Sequence, residues 1–127
     1  MMAAATIRSM GRICVLALAV LASGAQALDT VDFQVATEDA QLIRALKAAS
    51  VILAAERDGQ TDAQDILSDG RAEYGALLNA LYARGHYSAV IHVYADGREV
   101  AAIPPLDAPA RIDRIQITVD PGPRFAL

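Results

Sequence analysis

The spacing of apolar and polar positions changes along this chain, and each change predicts an element. Residues 31–35 alternate, with Val31, Phe33 and Val35 on one side and Asp32 and Gln34 on the other. Period two over a short run is the mark of a half-buried strand. Over 38–57 the period lengthens. Leu42, Leu46, Ala49 and Leu53 recur at three and four residues, flanked by Ile43 and Ile52, which predicts one amphipathic helix. Thr37 or Asp39 is placed to cap its start, Glu38 suits the positive end of its dipole, and Gly59 ends it. Thr61 to Gln64 reads as a capping box that opens a second helix. Ala63, Leu67, Gly70, Tyr74, Leu77, Leu78 and Leu81 share one face of that helix. Gly70 lies within the face, where the missing side chain lets another element approach closely. Gly70 and Gly75 each cost about 1 kcal/mol of helix propensity against Ala, so a kink near Gly70 is one expectation. Arg84 favours the last turn, and Gly85 is a natural residue just past it.

Residues 88–94 are β-branched and aromatic, hence a strand. Asp96-Gly97 is a tight-turn pair, and Arg98 to Ile103 is expected to pair back as a short strand. Pro104, Pro105 and Pro109 mark a loop. Residues 111–119 alternate again, with Ile115, Ile117 and Val119 facing one way and Arg114, Gln116 and Thr118 the other. Asp120-Pro121-Gly122-Pro123 ends that strand. One-sided helices and a one-sided sheet bury each other's apolar faces. The expected fold class is therefore α+β, a two-layer βααββ module with two helices on a small mixed sheet.

The N-terminus changes the picture of where the domain begins. Arg8 and Arg12 precede an uncharged apolar run over 13–22, and Ala25-Gln26-Ala27 follows. That layout predicts a signal peptide over 1–27, cleaved after Ala27. The apolar run is about half of the ~20 residues that a membrane-spanning helix needs. Export to the periplasm is thus expected, with a domain over 28–120 and the start of a linker over 121–127. Cys14 is the only cysteine and lies inside the leader, so the mature chain is expected to fold without a disulfide. Removing Arg8 and Arg12 leaves nine basic residues against fifteen acidic ones. A net acidic domain argues against nucleic acid and against anionic lipid, both of which need clustered Lys and Arg.

Candidate chemistry is sparse. His86 and His92 are the only histidines, and they are split between a helix end and a strand, so no metal site is expected. Asp58, Asp62, Asp65 and Asp69 recur at helical rather than calcium-loop spacing. Ser50, Ser68 and Ser88 lie outside any nucleophile elbow, with Ser50 inside the first helix pattern. There is no phosphate loop or dinucleotide fingerprint. Neither catalysis nor a cofactor is expected. What remains is backbone. If 88–94 lies at a sheet edge, its free N–H and C=O groups accept an extended partner strand, with Val90, His92 and Tyr94 as the contacting side chains. On that reading Tyr94→Pro weakens partner binding. The rival reading has the 98–103 segment covering the strand.

Three segments carry a family resemblance. The first is Tyr82-Ala83-Arg84-Gly85-His86-Tyr87, a helix end followed by Gly-x-aromatic and a strand. The second is the final strand with its exit, Ile115 to Val119 and then Asp120-Pro121-Gly122-Pro123-Arg124-Phe125. The third is the helix pair joined through residues 58–65. Together they resemble the POTRA domain, the polypeptide-transport-associated module of the Omp85 superfamily, and most closely the N-terminal part of alphaproteobacterial TamA-type assembly factors. Gly85, Tyr87, Gly122 and Pro123 are the structural signals. The resemblance implies a docking domain on the periplasmic face of the outer membrane. Its partners would be unfolded outer-membrane or autotransporter clients and an inner-membrane-anchored assembly partner. It also implies further POTRA domains and a β-barrel after Leu127, so that the chain is expected to be the front of a longer protein. The alternative is a stand-alone periplasmic adaptor.

Overall fold

The computed structural model describes residues 28–126. The leader read over 1–27, with Arg8, Arg12, Cys14 and the cleavage point after Ala27, lies outside the described residues.

The fold is α+β, with helices packed on one face of a four-stranded mixed sheet. In chain order the elements are β1 (Thr30–Val35), α1 (Ala40–Ala49), α2 (Val51–Arg57), α3 (Ala63–Tyr82), β2 (Val90–Ala95), β3 (Arg98–Glu99), a single 3₁₀ turn (Val100–Ala102) and β4 (Arg114–Asp120). The sheet order is β1-β4-β2-β3, so the last strand is the innermost of the three long ones. β4 runs parallel to β1, with Phe33 opposite Ile117, and antiparallel to β2, with Val93 opposite Ile117. The period-two reading holds in both long-range pairings. Ile115, Ile117 and Val119 are buried, and Val31, Phe33 and Val35 pack against the core from β1.

The segment 38–57 is two helices rather than one. Ser50 is extended (φ −69°, ψ 123°) and serves at once as the end of α1 and the N-cap of α2, its hydroxyl accepting from Leu53 N–H at 3.1 Å. The break rotates the buried face. α1 buries Leu42 and Leu46, α2 buries Ile52 and Ala55, and Ala49 and Leu53 are left half-buried. The cause lies elsewhere in the chain. Glu73 of α3 is fully buried, and its carboxylate accepts from the Ser50 hydroxyl (2.5 Å), Val51 N–H (2.7 Å) and Ile52 N–H (3.0 Å). A helix N-terminus must satisfy its first amides, and a carboxylate at that end also complements the dipole.

Local capping differs from expectation at α3 as well. Asp62, not Thr61, is the N-cap, accepting from Gln64 N–H (2.8 Å) and Asp65 N–H (3.3 Å). Gln60 Oε1 takes the Thr61 and Asp62 amides at 3.2 and 3.4 Å, so the reciprocal bond of a capping box is already satisfied from outside. Asp39 rather than Thr37 caps α1.

α3 runs unbroken through Gly70. A Cβ there would lie 3.2 Å from Val100 Cγ1 and 3.3 Å from Cγ2, so the notch in the helix is filled by Val100. This contact also explains why residues 98–103 fail to return as a full strand. Val100 is drawn completely into the core, and the chain leaves the sheet after Glu99 into the 3₁₀ turn. Arg71 Nη2 donates to the Ile103 carbonyl at 2.9 Å and holds the departing segment against α3. Among the described residues no helix is long and apolar enough to cross a membrane.

Candidate functional site

Val90, His92 and Tyr94 all lie on β2, on the sheet face away from the helices. Their neighbours Val93 and Ala95 are buried on the inner face, with Ile91 packed against the core beside them. Val90 is 50% exposed, and the His92 and Tyr94 rings stack with centroids 5.7 Å apart.

Backbone direction matters more for docking than side chains do. Asp96 N–H donates to the Arg114 carbonyl at 2.9 Å, which sets the phase of the β2–β4 ladder. Hydrogen-bonded and non-bonded pairs alternate in an antiparallel pair. Val90, His92 and Tyr94 therefore turn their amides and carbonyls toward β4, and Ile91 and Val93 turn theirs outward. This corrects the expectation for Tyr94→Pro. Proline at 94 removes a bond inside the sheet, and Ile91 is the position whose amide faces a newcomer.

β2 is not a terminal strand, but its cover is partial. β3 pairs only with Tyr94 and Ala95. At Val93 side chains take over from the missing strand. Glu99 Oε2 accepts from Val93 N–H at 3.1 Å, and Glu99 Oε1 meets His92 Nδ1 at 2.8 Å. The Tyr74 hydroxyl accepts from Ala101 N–H at 3.2 Å. It faces both the Val93 carbonyl (3.3 Å) and the Glu99 carboxylate. A hydroxyl has one proton to give, and the charged acceptor is the stronger. Partial burial drives the Glu99 carboxyl up, but the bonds from Tyr74, His92 and the Val93 amide outweigh it and hold the group below its ordinary value. Burial, and then the bond to Glu99, push the Tyr74 phenol up to about 12. Beyond this cluster the outer groups of Ile91 face away from β4, and among the described residues no strand is paired beside them.

The other rim of the sheet is β1. Thr30 and Ala36 donate to Asp113 and Val119 carbonyls at 3.2 and 2.8 Å, so the even-numbered residues bond to β4. Val31, Phe33 and Val35 point their backbone groups outward, and no strand flanks them among the described residues. The alternation of 31–35 gave no sign of this, because an edge strand and an inner strand of a one-sided sheet read alike.

The second surface gathers the residues singled out at the helix end and the chain exit. Gly85 (φ +86°) takes a left-handed turn after α3, and a Cβ there would lie 2.8 Å from the Phe125 carbonyl oxygen. Phe125 N–H donates to the Gly85 carbonyl at 2.8 Å. Gly122 (φ +66°) sits against Ser88, where a Cβ would come within 3.0 Å of Ser88 Oγ. Buried His86 places Nδ1 3.2 Å from the Gly122 carbonyl, so this histidine is a structural tie. The Tyr87 ring lies 5.5 Å from Tyr82 and 6.2 Å from Phe125, all three nearly half exposed. Arg84 and Arg124 flank them around an open cleft of about 540 Å³. Gly85 and Tyr87 thus border Phe125, Gly122 is tied to His86 and Ser88, and Pro123 is exposed. Val90, paired with Asp120, stands where this surface joins β2.

His86 and His92 have separate partners, and among the described residues no three His, Cys, Asp or Glu side chains are grouped to hold a metal ion. The buried carboxylate of Glu73 went unread in the sequence. It occupies a position on the α3 face that the apolar pattern skips, and only its remote partners reveal its task. Comparison with protein-family models, with curated proteins and with solved structures returns no match.

Proposed function

We propose that this chain is a periplasmic docking module of POTRA type. It would serve an assembly factor for outer-membrane proteins or autotransporters and bind an extended client segment by strand addition. The observation that carries this reading is the outer rim of β2, where the cover strand stops two residues after the hairpin and leaves the Ile91 backbone groups facing outward. Main-chain bonds to such a rim supply affinity, and alternate side chains supply selectivity. Val90 and His92 are the side chains beside it. The aromatic surface of Tyr82, Tyr87 and Phe125, braced by the Gly85 and Gly122 contacts, supports the further role of a joint to a neighbouring domain or an inner-membrane-anchored partner. The α+β architecture, with helices packed on a small mixed sheet, supports that reading.

The test is photo-crosslinking from position 90 in cells exporting outer-membrane barrels and autotransporters. Crosslinks to nascent clients that disappear in Ile91→Pro, with the fold intact by circular dichroism, are the expected result. Equal crosslinking in that variant overturns strand addition at β2.

A further inference from the structure

The rim of β2 is divided at Val93, and the division is built from side chains rather than from strand. Val93 would be the next residue to exchange a pair of bonds with β3, across from Val100. Val100 has instead gone into the notch at Gly70. Glu99, the last residue of β3, folds its carboxylate back onto the Val93 amide at 3.1 Å. Tyr74 reaches up from α3 to the Val93 carbonyl and to Glu99, and His92 closes on the other carboxylate oxygen at 2.8 Å. The Val93 amide is thereby met by a side chain, as a strand would meet it, and the Tyr74 oxygen stands 3.3 Å from the Val93 carbonyl.

We infer that Glu99, held by Tyr74 and His92, is a stopper on the outer rim of β2. It limits an added strand to the stretch around Ile91 and yields only when the carboxylate leaves Val93. This inference rests on strand addition to β2 as proposed above, and it specifies how that site is regulated. The partner that fits the resting state is a short extended segment, bonding Ile91 and ending before Val93. A longer strand must displace a charge-assisted bond network first, which makes long, aggregation-prone pairings unfavourable.

The experiment uses a synthetic peptide copying residues 113–121, a sequence that already pairs with β2 on its other side. Its affinity and the amide exchange of Ile91, Val93 and Phe33 are measured for wild type, Glu99→Ala and Tyr74→Phe, each checked for an unchanged fold by circular dichroism. Without peptide, Val93 should exchange faster in both variants. With peptide, wild type should gain protection at Ile91, and Glu99→Ala should bind about tenfold tighter, the equivalent of one net hydrogen bond no longer displaced. Protection should then extend past Val93. If all three proteins bind alike at Ile91, the stopper is refuted and strand addition to β2 stands. Binding by none of them refutes both, and protection appearing at Phe33 in place of Ile91 does the same by moving docking to β1.

Discussion

Glu73 and Glu99 perform the same local act with opposite consequences. Each carboxylate accepts backbone N–H groups that the chain has left without an ordinary partner. Glu73 does so inside the core, fully buried, at the start of α2. Glu99 does so at the rim, partly in water, at the uncovered end of β3. Desolvation wins at Glu73 over the bonds from Ser50, Ile52 and Val51, and the nearby Asp69 charge adds to it, so that carboxyl is raised above its ordinary value. At Glu99 the bonds win. The difference teaches that such bonds favour the charged form at both sites, and that the depth of burial decides whether they outweigh desolvation. One glutamate is therefore structural and fixed, and the other is free to leave.

Removing each carboxylate should widen that contrast most. Glu73→Ala leaves the Ser50 hydroxyl and the Val51 and Ile52 amides facing a cavity, which is expected to cost ~3 kcal/mol or more in urea unfolding. Glu99→Ala exposes its partners to solvent and should cost under about 1 kcal/mol. Equal losses would erase the distinction between core and rim.

The pH dependences should have opposite signs. Because the folded Glu73 carboxyl lies above its unfolded value, its contribution is fully present below the unfolded value and is lost as pH rises through the folded one. Glu73→Gln should therefore remove a decline in stability on going from acid toward neutral pH. The folded Glu99 carboxyl lies below its unfolded value. Its contribution is present above the unfolded value and is lost as pH falls through the folded one, so Glu99→Gln should flatten the acid limb instead. Urea midpoints for both variants over about pH 3 to 8 decide the signs.

The smallest effect concerns a cap supplied locally. Asp62→Ala should cost ~1 kcal/mol and Thr61→Ala almost nothing, since only Asp62 accepts from the first turn of α3. A loss at Thr61 equal to that at Asp62 would restore the capping box read from sequence.

These cases mark what could be read in the sequence. The three long strands, the turn at Asp96-Gly97 and the helix stop before Gly85 were legible, because each depends on neighbours a few residues away. At Gly70 the missing side chain marked room for a close approach, and Val100 as its occupant was not legible. The break at Ser50 was not. Apolar spacing continues across it, and the group that enforces it is Glu73, more than twenty residues on. The short β3 was hidden for a related reason. Val100 reads as a strand residue, and only the facing notch turns it inward. At the candidate site, Val90, His92 and Tyr94 could be placed on one face from alternation. Which amides point outward needed the ladder phase, and Glu99 has no local signature as a stopper.

The fit of Val100 into α3 has a consequence for how this sequence can drift. Positions 70 and 100 are thirty residues apart, yet they share one small volume, with 3.2 Å between Val100 Cγ1 and the place of a Cβ on residue 70. Bulk gained at one must be surrendered at the other, so the two should co-vary across descendants of this chain. A lineage that enlarged residue 70 alone would push residue 100 back toward the sheet, lengthen β3, and seal the rim of β2 without touching any residue on it.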